Sequence, residues 1–187
     1  MRRLIVTLLV VFCLPTLAAA QEGAYQINAG DVLDVSVWGE EDLTRQVLVL
    51  PDGTMTVPLA GQMQAEGRTT AELEEEMRQR LARYVPNALV TIGVYNAAGN
   101  RFYVTGEVNR PGEFQITRPI DVMQALSLAG GLTAFASQNN IRILRREGDE
   151  QVALPFRYRD VRSGNRLETN IHLQAGDVIV VPGTTLF

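Results

Sequence analysis

The chain has 187 residues, with 17 basic and 21 acidic side chains, one histidine and one cysteine, and a formal net charge of −4. This acidic balance excludes the basic surface on which nucleic-acid and anionic-membrane binding depend. One cysteine and one histidine also exclude a disulfide framework and the usual zinc sites.

Residues 1–20 have the order of a secretory signal. Two arginines precede an apolar run over residues 4–14, and three alanines end at Ala20. The run is shorter than the roughly 20 apolar residues that a membrane-spanning helix needs. We therefore predict export to the periplasm with cleavage between Ala20 and Gln21.

The only cysteine, Cys13, lies inside this segment. A lipoprotein signal needs a small residue before the lipid-bearing cysteine, and Phe12 is bulky, so we expect no lipidation. Removal of residues 1–20 leaves 15 basic and 21 acidic groups, a net charge of −6. The mature sequence has no other apolar run near spanning length, so we expect no transmembrane helix in it.

The next elements predict strands. Alternating apolar and polar residues predict a half-buried strand over 32–38. The runs 46–50 and 54–59 flank Pro51-Asp52-Gly53, which is typical of a turn, so they are predicted to form a hairpin. The buried side of the first strand is predicted to carry Leu33, Val35 and Val37.

One helix is predicted in the first half. Thr69 and Glu72 have the spacing of a capping box, and Pro86 is predicted to end the helix. Its charged residues are interpreted as a solvated face, and a further strand is predicted over 89–95. The apolar stripe of the helix is Leu73, Met77 and Leu81.

A new pattern starts after the predicted linker over 97–100, so we divide the mature chain into residues 21–98 and 99–187. The runs 102–108 and 114–117 predict a hairpin, and a helix is predicted to start at Pro119 and to stop at Gly130-Gly131. Strands follow at 141–145, 152–156 and 178–181. The predicted class is α+β: a small α/β unit followed by a ubiquitin-like β-grasp domain.

An Ala-Gly-Asp-Val segment occurs twice, once near each end of the mature chain. The first copy contains Gly30 and Asp31, and the second contains Gly176 and Asp177. Both copies stand before a buried strand. We interpret them as shared turn chemistry, since the match is too short to establish a duplicated domain.

No residue is assigned a catalytic, cofactor-binding or metal-binding role. His172 has no nucleophile motif around it. Two of the four residues Asp31, Asp34, Asp52 and Asp177 could in principle form a carboxylate pair for glycoside hydrolysis. Asp31, Asp52 and Asp177 each stand beside a glycine in a turn signal, where aspartate is expected for backbone reasons, so we favour a structural role.

Trp38 closes the first predicted strand. An exposed aromatic side chain stacks on sugar rings, which makes Trp38 a candidate sugar contact. We favour the alternative interpretation, in which Trp38 is an ordinary half-buried tryptophan of a strand.

Taken in order, these motifs resemble the bacterial polysaccharide-export family, with an export domain followed by one soluble-ligand-binding β-grasp (SLBB) domain. The resemblance covers nearly the whole mature chain, beginning at Tyr25-x-Ile27-x-x-Gly30-Asp31 and Val37-Trp38. The family-motif turn residues, which we interpret as structural, are Gly30, Asp31, Pro51, Asp52, Gly53, Gly61, Gly106, Pro111, Gly112, Gly130, Gly131, Gly176 and Asp177.

The resemblance implies a ring-shaped homo-oligomer that conducts an exopolysaccharide or capsular polymer and is not an enzyme. It also implies inner-membrane synthesis or chain-length machinery as a partner. Because the sequence lacks a lipidation cysteine and ends at Phe187, soon after the last predicted strand, we expect a separate outer-membrane β-barrel to complete the path. Two alternatives are a periplasmic glycan- or ligand-binding module that forms no conduit and, without a catalytic pair to support it, a polymer-modifying enzyme.

Overall fold

The computed structural model describes residues 24–148 and 150–184. The predicted signal, its cleavage site after Ala20 and the lipidation state of Cys13 lie outside the described residues. The secondary structure is α+β, as predicted.

The first half builds a three-stranded sheet, a two-stranded sheet and one helix. Its elements are β1 (Val32–Val37), β2 (Arg45–Leu48), β3 (Thr54–Val57), β4 (Gly61–Gln64), α1 (Thr70–Leu81) and β5 (Val90–Asn96), with a short 3-10 helix at Glu41–Leu43. Strand order in the larger sheet is β2-β1-β5 and all its pairs are antiparallel, while β3 pairs with β4.

Alternation along β1 places one set of side chains in the core beneath α1. The predicted inner face of β1 is buried, and α1 contributes its predicted stripe to the same core. The capping box between Thr69 and Glu72 is present, with the Glu72 N–H 3.3 Å from the Thr69 hydroxyl. The helix ends at Leu81, before Pro86, because the chain leaves the helix through turns in which the N–H groups of Tyr84 and Val85 both donate to the Leu81 carbonyl.

The predicted hairpin around Pro51-Asp52-Gly53 is wrong. β2 pairs with β1, and β3 turns away to pair with β4, a strand that the sequence pattern did not predict. The turn itself forms, since the Gly53 N–H donates to the Leu50 carbonyl at 2.9 Å. Met55 and Val57 are nevertheless buried in the common core, at alternate positions of β3. The strand itself was therefore predicted from the sequence, and its pairing partner was not.

The second half forms one five-stranded mixed sheet. Its elements are β6 (Arg101–Gly106), β7 (Gly112–Gln115), α2 (Val122–Leu128), β8 (Ile141–Glu147), β9 (Glu150–Phe156), α3 (Tyr158–Arg162) and β10 (Val178–Val181). The strand order is β7-β6-β10-β8-β9, and the one parallel pair of this sheet is β6 with β10. The predicted order of hairpin, helix and three further strands is present, and the β-grasp interpretation rests on it.

Helix α2 begins later than Pro119. Asp121 is its N-cap, and the side chain of Asp121 accepts from the Gln124 N–H at 2.8 Å in a second capping box. The helix stops at Gly130-Gly131 as predicted, where the Gly131 N–H donates to the Leu126 carbonyl at 2.9 Å.

Two separate groups of buried side chains fill the two halves. The first extends from Ile27 to Ile92 and the second from Phe102 to Val181. The boundary at 98/99 remains a prediction, and the segment between β5 and β6 is short enough to hold the ends of the two halves close together.

Candidate functional site: two buried aspartates and an exposed tryptophan

The first Ala-Gly-Asp turn holds Asp31 fully out of solvent. Gly30 has φ +91°, a left-handed conformation that glycine adopts without a Cβ clash. The Gly30 N–H donates to the Val49 carbonyl at 2.9 Å, and the Val49 N–H donates to the Asp31 carbonyl at 2.8 Å. These two bonds hold the turn against the chain that follows β2.

Three donors surround the Asp31 carboxylate. The Asn28 N–H and the Tyr25 hydroxyl donate to Oδ2 at 2.8 and 2.5 Å, and the Gly99 N–H donates to Oδ1 at 2.9 Å. Burial, together with the hydrogen bond to Asp31, raises the pKa of Tyr25 above its ordinary value. The carboxylate therefore anchors the segment between β5 and β6 to the first turn, which is a structural role.

The second Ala-Gly-Asp turn repeats the backbone arrangement. Gly176 has φ +84°. Its N–H donates to the Arg101 carbonyl at 2.7 Å, and the Tyr103 N–H donates to the Asp177 carbonyl at 2.8 Å. The turn is thus held against β6 by the same pair of bonds that holds the first turn.

The surroundings of the second carboxylate are different. The Asp177 side chain is fully buried, and Arg145 donates to it through Nε at 2.9 Å and Nη2 at 2.7 Å. The Gln174 N–H also donates to Oδ2, at 2.9 Å. Arg145 Nη2 further donates to the backbone carbonyl of His172 at 2.9 Å. His172 itself is an exposed residue. A charge-neutralised, fully bonded carboxylate is unsuited to proton transfer.

The other two candidate aspartates, Asp34 and Asp52, are both exposed. Asp34 is exposed on β1. Asp52 is exposed in its turn, where Oδ1 accepts from the Thr54 hydroxyl at 2.7 Å and the Thr54 N–H at 3.0 Å. The hydrogen bonds from the Thr54 side chain and backbone hold the pKa of Asp52 below its ordinary value. The hydrogen bonds of Asp52 thus lie within its own turn, which is a structural role.

A left-handed backbone and closely packed side chains explain Gly53. It has φ +77°, and a Cβ placed there would lie 2.5 Å from Gln64 Nε2 and 2.6 Å from Glu66 Oε2. The remaining motif residues occupy strand ends and turns. Gly61 and Gly112 begin β4 and β7, Gly106 ends β6, Gly130 and Gly131 follow α2, and Pro111 is exposed before β7.

A groove of about 1130 Å³ runs along the outer side of α1. Several of its charges are paired within the chain: Glu76 contacts both Arg68 and Arg80, with 2.5 Å to Arg80 Nη2. The hydrogen bond from Arg68, followed by that from Arg80, holds the pKa of Glu76 below its ordinary value. The groove therefore has the character of a salt-bridged helix face.

Trp38 is 81% exposed, so the half-buried interpretation is wrong. Because Val37 points into the core, the next residue points to the outer side of the sheet. There the Trp38 N–H donates to the Leu89 carbonyl at 3.0 Å, and Leu89 is itself 68% exposed. The pair presents an aromatic and an aliphatic side chain to solvent. The alternation along β1 could have indicated the outward direction of Trp38, but not that nothing covers it.

Within residues 24–148 and 150–184, no three histidine, cysteine or acidic side chains are grouped so that they could hold a metal ion. In the same part of the chain, no helix is long and apolar enough to cross a membrane.

Sequence models of two protein families match the chain in succession. Residues 19–95 match the polysaccharide biosynthesis/export protein family, and residues 100–181 match the SLBB domain. The two matches follow the order of the two buried cores.

Curated relatives carry export names. The EPS I polysaccharide export outer membrane protein EpsA of Ralstonia nicotianae is 28% identical over 192 residues, covering 89% of this chain and 49% of that protein. Its Ralstonia solanacearum counterpart is 30% identical over 151 residues, covering 67% and 40%. The capsule polysaccharide export outer membrane protein CtrA of Neisseria meningitidis serogroup B is 27% identical, covering 83% and 43%. The chain thus spans about half the length, or less, of these relatives.

Proposed function

This chain belongs to the polysaccharide biosynthesis/export protein family, and from that premise we propose that it is a periplasmic component of an exopolysaccharide or capsule export translocon. The observation that carries the proposal is the ordered pair of family matches over residues 19–95 and 100–181. The export names of the relatives support the same role. In this role the chain contacts a polysaccharide and catalyses no reaction.

We further propose that the chain acts as a homo-oligomer, as one ring of a conduit. Small units bury a limited fraction of their surface, which favours association. The described surface supports this, since it exposes several large apolar side chains in both halves. They include Leu59, Tyr95, Phe135 and Leu167. A closed ring needs contacts between two different surfaces of each copy.

The proposal includes the mature form of the protein, its location and its partners. The mature protein starts at Gln21 and carries no lipid, and it associates with the outer membrane through partners. Inner-membrane synthesis or chain-length machinery delivers the polymer, and a separate outer-membrane β-barrel receives it. The outer-membrane names of the relatives support a location at that membrane.

The test is deletion of the gene, followed by measurement of polymer in the medium and in the periplasm. We expect the amount outside to fall and the retained amount to rise, with the polymer's linkages unchanged, and a plasmid copy to restore export. Unchanged export would overturn the proposal. A change in polymer linkages or substituents with normal export would instead support a modifying enzyme.

Native mass measurement of the mature protein, with and without the co-expressed export machinery, tests the conduit. We expect a closed homo-oligomer. A stable monomer at high concentration in the presence of that machinery would contradict the conduit and support the binding-module alternative.

A further inference from the structure

The outer face of the β2-β1-β5 sheet carries an ordered set of side chains. Trp38 lies beside Leu89 at one end, through their backbone hydrogen bond. The next outward row pairs Ser36 with Thr91, and the row after that places Asp34 between Gln46 and Gly93. From Asp34 to Trp38 the face extends roughly 13 Å, at about 3.3 Å per residue.

This face is open to solvent along its length. Asp34, Ser36, Trp38 and Thr91 are all exposed. On the edge strand β5, beside Asp34, a Cβ added to Gly93 would meet no heavy atom within 4 Å. The polar side chains of the face therefore lie around a shallow, unobstructed strip that begins at the indole.

The composition of the strip fits a carbohydrate better than a protein surface. The face of an indole ring carries negative quadrupole charge, which attracts the polarised C–H groups on the flat side of a sugar ring. Hydroxyl, carboxylate and amide groups then match sugar hydroxyls as donors and acceptors. A protein interface core needs contiguous apolar area, whereas here polar rows separate Trp38 from Leu48 at the opposite end.

The charge around the indole decides which polymer fits. Asp34 lies on the face, and Glu40, Glu41 and Asp42 follow Trp38 in the chain after Gly39. The nearest arginine in sequence, Arg45, donates to the Asp42 carbonyl at 2.6 Å. The surroundings are acidic and would repel a polyanion at close range.

We propose that this face is a contact surface for a neutral polysaccharide, with the Trp38 indole stacked on a sugar ring. The surface consists of Asp34, Ser36, Trp38, Gln46 and Thr91, with Gly93 beside Asp34. The proposal rests on the proposed export function and adds the polymer class and the residues that touch it.

Trp38 is the only tryptophan in the chain, so tryptophan emission reports on this surface alone. Purified mature protein is titrated with neutral gluco-, manno- and galacto-oligosaccharides and with oligogalacturonate. We expect a saturable change in emission with at least one neutral probe and binding at least about tenfold weaker for the acidic probe. No response to any neutral probe, or stronger binding of oligogalacturonate, would overturn the proposal.

A second measurement, calorimetry, uses variants. Trp38→Ala should weaken binding of the responding probe about tenfold, the loss expected on truncating an aromatic anchor. Phe135→Ala, which removes an aromatic residue that is 65% exposed in the second half, is the matched control and should bind normally. Asp34→Asn removes a negative charge and keeps a polar group. It should reduce the difference in affinity between the neutral probe and oligogalacturonate. Equal losses in Trp38→Ala and Phe135→Ala would contradict the assignment.

The result also separates this proposal from the export function. If Trp38→Ala dissociates the native oligomer but binds oligosaccharide like wild type, the surface is a subunit contact and this proposal fails. If gene deletion leaves export unchanged while Trp38-dependent glycan binding persists, the export function fails and the glycan surface remains.

Discussion

The two Ala-Gly-Asp turns have the same backbone and different neighbours. In each, the aspartate N–H faces the carbonyl three residues earlier, at 3.1 Å for Asp31 and 3.2 Å for Asp177, and the side chain accepts from that earlier residue's N–H. Asp31 then bonds a tyrosine hydroxyl and the Gly99 N–H, whereas Asp177 bonds a guanidinium. One local motif therefore supports two different long-range connections.

The difference shows how the two halves use a buried carboxylate. In the second half, Arg145 comes from β8 and closes the turn within its own sheet, as an ion pair out of solvent. In the first half, neutral donors surround the carboxylate and one of them belongs to the segment that leads into β6. The first turn thus couples the halves, and the second turn stabilises one of them.

The largest effect is expected from breaking the ion pair. Arg145→Met leaves the Asp177 carboxylate buried without its counter-charge and should lower the free energy of unfolding by about 3–5 kcal/mol, the usual cost of removing one partner of a buried pair. Chemical denaturation of the purified variant measures it. Arg146→Met changes the neighbouring exposed arginine and should alter stability by less than about 0.5 kcal/mol. Similar losses in both variants would show that the pair has no special role.

A smaller effect is expected at the junction of the halves. A Cβ at Gly99 would lie 2.1 Å from the Ala29 carbonyl oxygen. Gly99→Ala must therefore push the segment off the first turn and should cost about 1–3 kcal/mol, as overpacking does. Amide hydrogen exchange should show faster exchange at the Gly99 position and at Asn28. The control is Gly93→Ala, where the added Cβ meets open space; wild-type stability and exchange in Gly99→Ala would contradict the coupling.

The smallest effect concerns the Tyr25 hydroxyl. Tyr25→Phe removes the 2.5 Å bond to Asp31 and should cost about 0.5–1.5 kcal/mol near neutral pH. Because the pKa of Tyr25 is raised in the folded state, the unfolded chain releases this proton first, near the ordinary value of 10.0. The stability present below that pH is lost as pH rises beyond it.

Denaturation of wild type and Tyr25→Phe at several alkaline pH values checks the sign. The gap between the two proteins should shrink, as wild type loses stability faster above about pH 10. Tyr103→Phe, at an exposed position on β6, should follow the wild-type pH dependence. A constant gap across the alkaline range would show that the hydroxyl does not carry the effect.

Local patterns in the sequence were sufficient for much of the fold. The alternation of β1, the stripe and capping box of α1, and the glycine pair after α2 each depend on residues close together in the chain, and each is present. The matched pair of turns was also visible, since its hydrogen bonds to residue i−3 are local. The sequence by itself determined these elements and the two buried faces.

Only the tertiary structure decided what those elements meet. The Arg145 contact with Asp177 and the Gly99 bond to Asp31 join residues that are distant in sequence. The strand that pairs with β3 was likewise not set by the turn before it. The exposure of Trp38 depends on whether anything covers the outer face of the sheet. Turn residues set where a chain reverses, but the strand that pairs next is chosen by competition for a common core. For that reason β3 pairs with β4 and not with β2, and the two Ala-Gly-Asp turns bond different partners.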